Sequence, residues 1–150
     1  MPDFFAFEAD FVESLRCIPM QVRFKLDTCG VKLKLHQWHQ FDYSDRDRLV
    51  TQPCDTPAAI QTYRADLHAL VLARTGETAT DLAIATAPPW LEATTIPDSV
   101  LQQAHTLGVA IAPDQWANLS PLQRFALIKL SRSHHENSNF LPALREFGIA

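Results

Sequence analysis

The chain has 150 residues, of which 47% are hydrophobic and 20% are charged, and its formal net charge is -4. This balance is that of a globular protein and excludes an intrinsically disordered chain. The acidic excess argues against nucleic-acid binding, and no apolar run reaches the roughly 18 residues of a membrane span. The acidic start MPDFFAFEADFVESL lacks the basic and small-residue parts of a signal peptide. We therefore expect a cytoplasmic protein that does not enter a membrane.

The three cysteines, Cys17, Cys29 and Cys54, do not form a recognisable metal or redox motif. No Cys-x-x-Cys pair occurs, so the sequence has no zinc ribbon, no thioredoxin motif and no complete iron–sulfur ligand set. We predict free and mostly buried thiols, as is usual in a reducing compartment.

Helix ends are indicated by proline and glycine. Thr56-Pro57 and Ser120-Pro121 each place a capping hydroxyl before a proline, the arrangement found at the start of helices. Each of the four glycines follows a segment with helical character, and glycine is the commonest residue just past a helix end. Apolar residues at helical spacing then predict helices over 57–75, 121–132 and 140–147.

Residues 76–95 do not have a helical pattern. They include two adjacent prolines and five threonines. We predict a long ordered Pro/Thr-rich connection that Trp90 and Leu91 attach to the core.

Two parts of the chain resemble each other. Residues 18–38 align without gaps on residues 96–116, and eight of the 21 aligned positions are identical. Trp38 and Trp116 are among the identical pairs, and we predict that both are core anchors, because matched tryptophans are usually buried. The alignment indicates an internal duplication with a period too long for a solenoid.

The alignment can be extended beyond the tryptophans. After a two-residue gap the register resumes, pairing Ser44 with Ser120 and Arg48 with Arg124. The predicted equivalent halves are residues 18–49 and 96–125.

Residues 22–35 allow two local structures. VRFKL and VKLKL alternate apolar and polar residues around a turn, which is typical of a β-hairpin. The aligned segment does not alternate, because Val100, Ala104 and Leu107 lie at helical spacing. We therefore predict a helix ended by glycine in both halves, then a short extended step and a helical turn, with the hairpin as the alternative. The predicted fold class is all-α, a single domain of residues 1–150 with two pseudo-repeated halves around one core.

His36 and His39 have the spacing of metal ligands on a helix. Their partners in the alignment are Asp114 and Ala117, so the repeated scaffold does not require them. No carboxylate or thiolate at ligand spacing completes a set, and we predict a solvated helix face.

The stretch 131–139 places nine polar residues between two apolar helices. Its cations, imidazoles, carboxylate and amides suit a partner-docking or anion-binding loop. The alternative is a structural role, in which Arg132 and the asparagines cap the two helix ends. A hydrolase triad is disfavoured because the nucleophile elbow and a glycine-rich oxyanion turn are missing.

The common catalytic and nucleotide-binding motifs do not occur. Walker A, Gly-x-Gly-x-x-Gly, His-Glu-x-x-His and EF-hand patterns are all missing from the sequence. A helix-turn-helix regulator is disfavoured by the charge and by the lack of a basic recognition helix. We predict that the chain is not an enzyme and holds no metal or other cofactor, and its oligomeric state stays open.

Three blocks of sequence are distinctive: FEADFVESLRCIPMQVRFKLDTCGVKLKL, PPWLEATTIP and SPLQRFALIKLSRSHHENSNFLPAL. Together they resemble the nitrate reductase-associated protein family, a group of short proteins best known from cyanobacteria. The resemblance extends over about residues 5–148. It implies a non-enzymatic role in nitrate assimilation, in support of the assimilatory nitrate reductase, a molybdopterin and iron–sulfur enzyme reduced by ferredoxin.

The resemblance leaves the mode of action open. The accessory protein could assist maturation of the reductase or stay bound to it as a subunit. The alternative function is a metal or cofactor carrier that delivers to the reductase through Cys17, Cys29 and His36 with His39.

Several polar residues lie within apolar sequence in these blocks. Such residues orient an interface and make it specific. The candidate partner-binding residues are Arg16, Arg23, Lys25, Lys129, Arg132, His135, Glu136 and Asn137.

Overall fold

The computed structural model of the chain describes residues 4–8, 17–132 and 137–150. Within these ranges it contains eight α-helices and one two-stranded sheet, so the predicted all-α fold class is confirmed. None of the helices in these ranges is long and apolar enough to pass through a bilayer. The described residues divide into two compact units: Phe4 with 17–84, and 5–8 with 85–132 and 137–150.

The first unit contains helices α1 (Met20–Cys29), α2 (Leu35–His39), α3 (Tyr43–Thr51) and α4 (Pro57–Thr75). α1 ends because Gly30 adopts a left-handed φ of 76°, which most side chains avoid, and its amide donates to the Leu26 carbonyl. α4 begins as predicted, with Pro57 in its first turn and the Thr56 hydroxyl accepting from the Ala59 amide.

A short antiparallel sheet fixes the end of α1. Strand β1 (Val31–Lys32) pairs with β2 (Thr80–Asp81), with Val31 opposite Asp81. Arg64 of α4 donates to the carbonyls of Cys29 and Gly30 at 2.9 and 3.0 Å and to the Asp81 carboxylate at 2.7 Å. One side chain therefore joins α4, the end of α1 and strand β2.

The apolar stripe of α4 forms much of the core of the first unit. Tyr63, Leu67 and Val71 are fully buried, at the helical spacing that predicted this face. The Tyr63 hydroxyl donates to the Leu49 carbonyl at 2.7 Å, so its buried polar atom has a partner. Trp38 is also fully buried in this core, as predicted.

The second unit contains helices α5 (Asp98–Thr106), α6 (Pro113–Ala117), α7 (Pro121–Arg132) and α8 (Phe140–Glu146). The helix predicted over 121–132 is confirmed, and the side chains of residues 125–128 and 130 in it are fully buried. Before α7 begins, Ser120 and Gln123 each accept the other's backbone amide, an arrangement that satisfies two otherwise unpaired donors. Trp116 of α6 is fully buried, as predicted.

The predicted connection over 76–95 contains β2 and a 3₁₀ turn at Pro89–Leu91. Trp90 packs its ring edge-on against Phe125 at a centroid distance of 5.0 Å, so its predicted anchoring is confirmed. The prediction for Leu91 is wrong, because its side chain is 57% exposed. The 3₁₀ turn therefore directs Trp90, but not Leu91, towards the core.

Residues 22–29 are helical, and residues 31–32 form a short strand. α1 and α5 occupy Met20–Cys29 and Asp98–Thr106, so the predicted helices are confirmed and the hairpin alternative is wrong. Residues 31–32 are extended, but they pair with β2 from a distant part of the chain and not with residues just before them. The alternating pattern reflected a half-buried helix followed by a strand.

The structure corrects the register of the aligned halves beyond the tryptophans. Asp42 and Ser120 are the residues that cap α3 and α7, each exchanging hydrogen bonds with the residue three positions later. The offset of 78 residues that relates Trp38 to Trp116 also relates Asp42 to Ser120. The predicted two-residue gap and the pairing of Ser44 with Ser120 are therefore wrong. The common origin of the two halves stays a prediction.

Candidate functional site

A buried pair of thiols lies in the core of the first unit. Cys29 at the end of α1 is fully buried and Cys54, in the segment between α3 and α4, is 8% exposed. As neutral thiols they donate to carbonyls of α1: Cys29 to Leu26 at 3.7 Å and Cys54 to Lys25 at 3.8 Å. They lie close enough for the Cys29 thiol to donate to the Cys54 sulfur once Cys54 is ionised. Both are free cysteines, as predicted.

The Lys25 ammonium lies at the edge of this thiol pair. It donates to the carbonyls of Val50 and Gln52 at 2.5 and 2.7 Å, where α3 ends, and lies 5.7 Å from the Tyr63 ring centroid. Burial lowers the pKa of Lys25, and the nearby Cys54 and Asp55 partly offset this effect. The cation therefore caps a helix end, where its charge is favourable.

The pair makes the two thiols chemically different. The hydrogen bond that Cys29 makes to Cys54, together with burial, raises the pKa of Cys29. The same hydrogen bond lowers the pKa of Cys54, and the charge of Lys25 acts in the same direction against the effect of burial. Cys54 is therefore the better nucleophile of the two.

The thiols are not part of a metal site in the described residues. No group of three or more His, Cys, Asp or Glu side chains is arranged to hold a metal ion in the described ranges 4–8, 17–132 and 137–150. His36 is 58% exposed and bonds the Glu77 carboxylate at 2.9 Å, so it lies on a solvated face, as predicted. Cys17 is half-buried.

The predicted partner-binding residues differ in how far their polar groups are already used. Arg23 is half-buried, and its Nε donates to the Ile18 carbonyl at 3.1 Å. Lys25 caps α3. In the second unit, the Lys129 ammonium lies 5.3 Å from the Phe125 ring centroid, and Arg132 is exposed in the last turn of α7.

The other predicted residues give less structural information. Asn137 begins a 3₁₀ turn before α8. Arg16, His135 and Glu136 lie outside the described residues. A partner-binding role for the eight residues stays a prediction.

The second unit has an open groove that the sequence analysis missed. It has a volume of about 490 Å³ and lies beside the end of α5 and the residues that follow it. Leu101 in this groove is 40% exposed. The lining residues are Leu101, His105, Gly108, Val109, Ala110 and Ile111. The available signal was Gly108, which is aligned with Gly30 in the first unit.

Comparison with known proteins bears on the whole chain. A family model described as conserved nitrate reductase-associated protein matches residues 4–147. No curated protein and no solved structure matches the chain. The match extends across both compact units and confirms the resemblance that the three sequence blocks indicated.

Proposed function

The chain belongs to the family of conserved nitrate reductase-associated proteins, and we propose that it is a non-enzymatic accessory protein of assimilatory nitrate reductase. It binds the reductase in the cytoplasm and supports its maturation or activity. The observation that carries the proposal is the family match, which covers both compact units.

The chemistry of the described residues supports an accessory role. The most unusual polar groups are the buried thiols of Cys29 and Cys54 and the half-buried ammonium of Lys25 beside them, whose bonds join α1 to the end of α3. A substrate would have to displace these bonds to reach them. By contrast, surface groups such as Arg132 are available to a protein partner.

Co-purification tests the proposal directly. A tagged chain is expressed from its own promoter, and cells are grown either on nitrate or on ammonium. We expect the reductase to be retained with the tagged chain from nitrate-grown cells, and reductase activity to fall when the chain is deleted. Retention of no reductase together with full activity after deletion would refute the proposal.

Elemental analysis of the purified chain distinguishes the accessory role from the carrier alternative. We expect substoichiometric metal, because the described residues contain no group of three ligands. One equivalent of metal per chain, lost when Cys17, Cys29 or His36 is substituted, would favour the carrier.

The polar stretch 131–139 is our proposed docking loop. We expect the double variant Arg132→Ala with His135→Ala to weaken reductase binding by about 2 kcal/mol or more, the size typical of an interface hot spot. The matched control is Arg145→Ala, an exposed arginine in the last turn of α8. If the loop only caps helices, the double variant will instead lower the Tm by several degrees and lose binding only in proportion to unfolding.

A further inference from the structure

Gly30 and Gly108 occupy matched positions in the two units. Each follows the first long helix of its unit, at φ values of 76° and 75°, and the two are related by the same offset as Trp38 and Trp116. A short non-helical step follows each glycine and leads into a helical turn that carries the buried tryptophan, with residues 31–32 forming a strand in the first unit. The surfaces beside the two glycines can therefore be compared residue by residue.

In the first unit this surface is covered by the chain itself. Strand β2 pairs with β1, and the Leu82 amide donates to the Gly30 carbonyl at 2.8 Å. A Cβ built on Gly30 would lie 2.6 Å from Cγ1 of Ile84 and 2.9 Å from the Leu82 carbonyl oxygen. Residues 80–84 thus lie beside or on the glycine, and residues 80–81 form the added strand.

In the second unit no described residue lies on Gly108. A Cβ built on Gly108 meets no heavy atom within 4 Å. The β1–β2 pair is the only sheet in the described part of the chain, so Val109 and Ala110 have no strand beside them there. The result is the open groove described above, which exposes Leu101 and Ala110. The amides of Gly108 and Val109 are bonded to the carbonyls of His105 and Ala104, so the Gly108 carbonyl and the Ala110 amide are the groups left to pair with an added strand.

The groove also differs from the first unit in charge. Leu101 and Ala110 stand at the positions of Arg23 and Lys32, and among its lining residues only His105 can carry a charge. A neutral apolar lining of this kind favours an uncharged apolar segment, because burying an unpaired charge is costly.

We propose that the edge of residues 108–111 binds an extended, uncharged segment of a partner protein by strand addition. Main-chain hydrogen bonds to the edge supply affinity, and apolar side chains at alternate positions fill the groove beside Leu101. Leu82 and Ile84, which lie against Gly30 in the first unit, show the alternate spacing that we expect of these apolar side chains. This proposal goes beyond the proposed function and does not depend on which protein supplies the segment.

A partner protein is the occupant that the structure favours over a second copy of this chain. The segment that fits such an edge, residues 80–84, is already held in the first unit by Arg64, which donates to the Asp81 carboxylate at 2.7 Å. A second copy would have to release this strand before donating it.

A synthetic peptide tests the proposal on the full chain. The probe has the sequence of residues 78–86 with Asp81→Asn, because no arginine lines the groove to pair with Asp81. We expect saturable changes in the backbone amide NMR signals of residues 108–111. The control peptide carries Leu82→Asp and Ile84→Asp and should not bind, because both apolar anchors are replaced by charges.

A matched pair of protein variants locates the site. Leu101→Arg introduces the residue found at the aligned position 23 of the first unit, so we expect the fold to be retained. It should weaken peptide binding at least ~10-fold, whereas Leu72→Arg, at an exposed leucine of α4, should change the Kd less than ~2-fold.

Three results would overturn the proposal. The first is that the peptide gives no saturable change. The second is that it changes only the signals of residues 30–33, which would indicate strand exchange in the first unit. The third is that the signals of 108–111 change with protein concentration in the absence of peptide, which would assign the edge to a second copy.

Discussion

The Arg46 guanidinium donates from Nε to the carbonyl of Trp38 at 3.2 Å, eight residues earlier in the chain. Arg124 has the same relationship to Trp116, with Nη1 3.4 Å from the Trp116 carbonyl. Arg124 is also bonded to the carbonyls of Leu119 at 2.6 Å and Trp90 at 2.7 Å, and it is 5% exposed. In each unit an arginine therefore satisfies a carbonyl of the helical turn that carries the buried tryptophan.

The two arginines make a matched pair for mutation. We expect Arg124→Met to lower the free energy of unfolding by roughly 3 kcal/mol, because it leaves buried carbonyls without their charged donor. Arg46→Met should cost only about 1 kcal/mol, because Arg46 is half-buried and water can replace it. Urea unfolding of both variants measures the difference. Equal losses would show that burial of the arginine does not decide its contribution.

The second prediction concerns the tryptophans of the second unit. Trp116→Ala should lower the free energy of unfolding by about 3–5 kcal/mol, the range for removing a large buried aromatic. The substitution also removes the hydrogen bond from Trp116 Nε1 to the Glu92 carbonyl. Trp90→Ala is the control and should cost less, because Trp90 is only half-buried. A Tm that stays within a degree or two in Trp116→Ala would contradict the buried position.

Local features of the fold could be predicted because local chemistry decides them. Thr56 before Pro57 begins α4, and Gly30 ends α1, because capping and left-handed backbone depend on the residue itself. The buried tryptophans were predictable from their matched positions in the alignment.

Contacts between distant residues could not be predicted from spacing. Cys29 and Cys54 are 25 residues apart, and only the packing of α1 against the segment after α3 brings their thiols together. The groove beside Gly108 has the same difficulty, because it depends on which distant segment covers each glycine. Residues 82 and 84 contact the Cβ position of Gly30, whereas no described residue contacts that of Gly108. A single sequence does not show this difference.

The third prediction is a pH dependence in the first unit. Burial raises the pKa of Asp45, but hydrogen bonds from Arg74 and from the Asp42 amide outweigh burial, so the pKa lies below its usual range. Arg74 holds both carboxylate oxygens, at 2.8 and 3.2 Å. A lowered folded-state pKa gives stability that is present above the unfolded pKa of about 3.9 and is lost as pH falls through the folded value.

The variant Arg74→Met tests this dependence. We expect it to be less stable than the native chain at pH 7 and to approach the native chain in stability as pH falls through the lowered folded-state pKa of Asp45. Urea unfolding across pH 2.5–7 measures the effect, and high salt should reduce it because the arginine is partly exposed. A stability difference that is constant over this range would assign the effect of Arg74 to packing.

The last prediction concerns the relative reactivity of the two buried thiols. It is measured in a Cys17→Ser background, so that Cys29 and Cys54 are the only thiols that can react. Cys54 should react with iodoacetamide before Cys29, because its pKa is lowered by the hydrogen bond from Cys29 and by Lys25, whereas the pKa of Cys29 is raised. The pH at which the Cys54 rate reaches half its maximum should rise in Cys29→Ala, and by less in Lys25→Met. Unfolding in urea should make the rates of the two thiols equal. Native chain that is modified first at Cys29, or a midpoint for Cys54 unchanged by Cys29→Ala, would show that the hydrogen bond between the thiols does not control their reactivity.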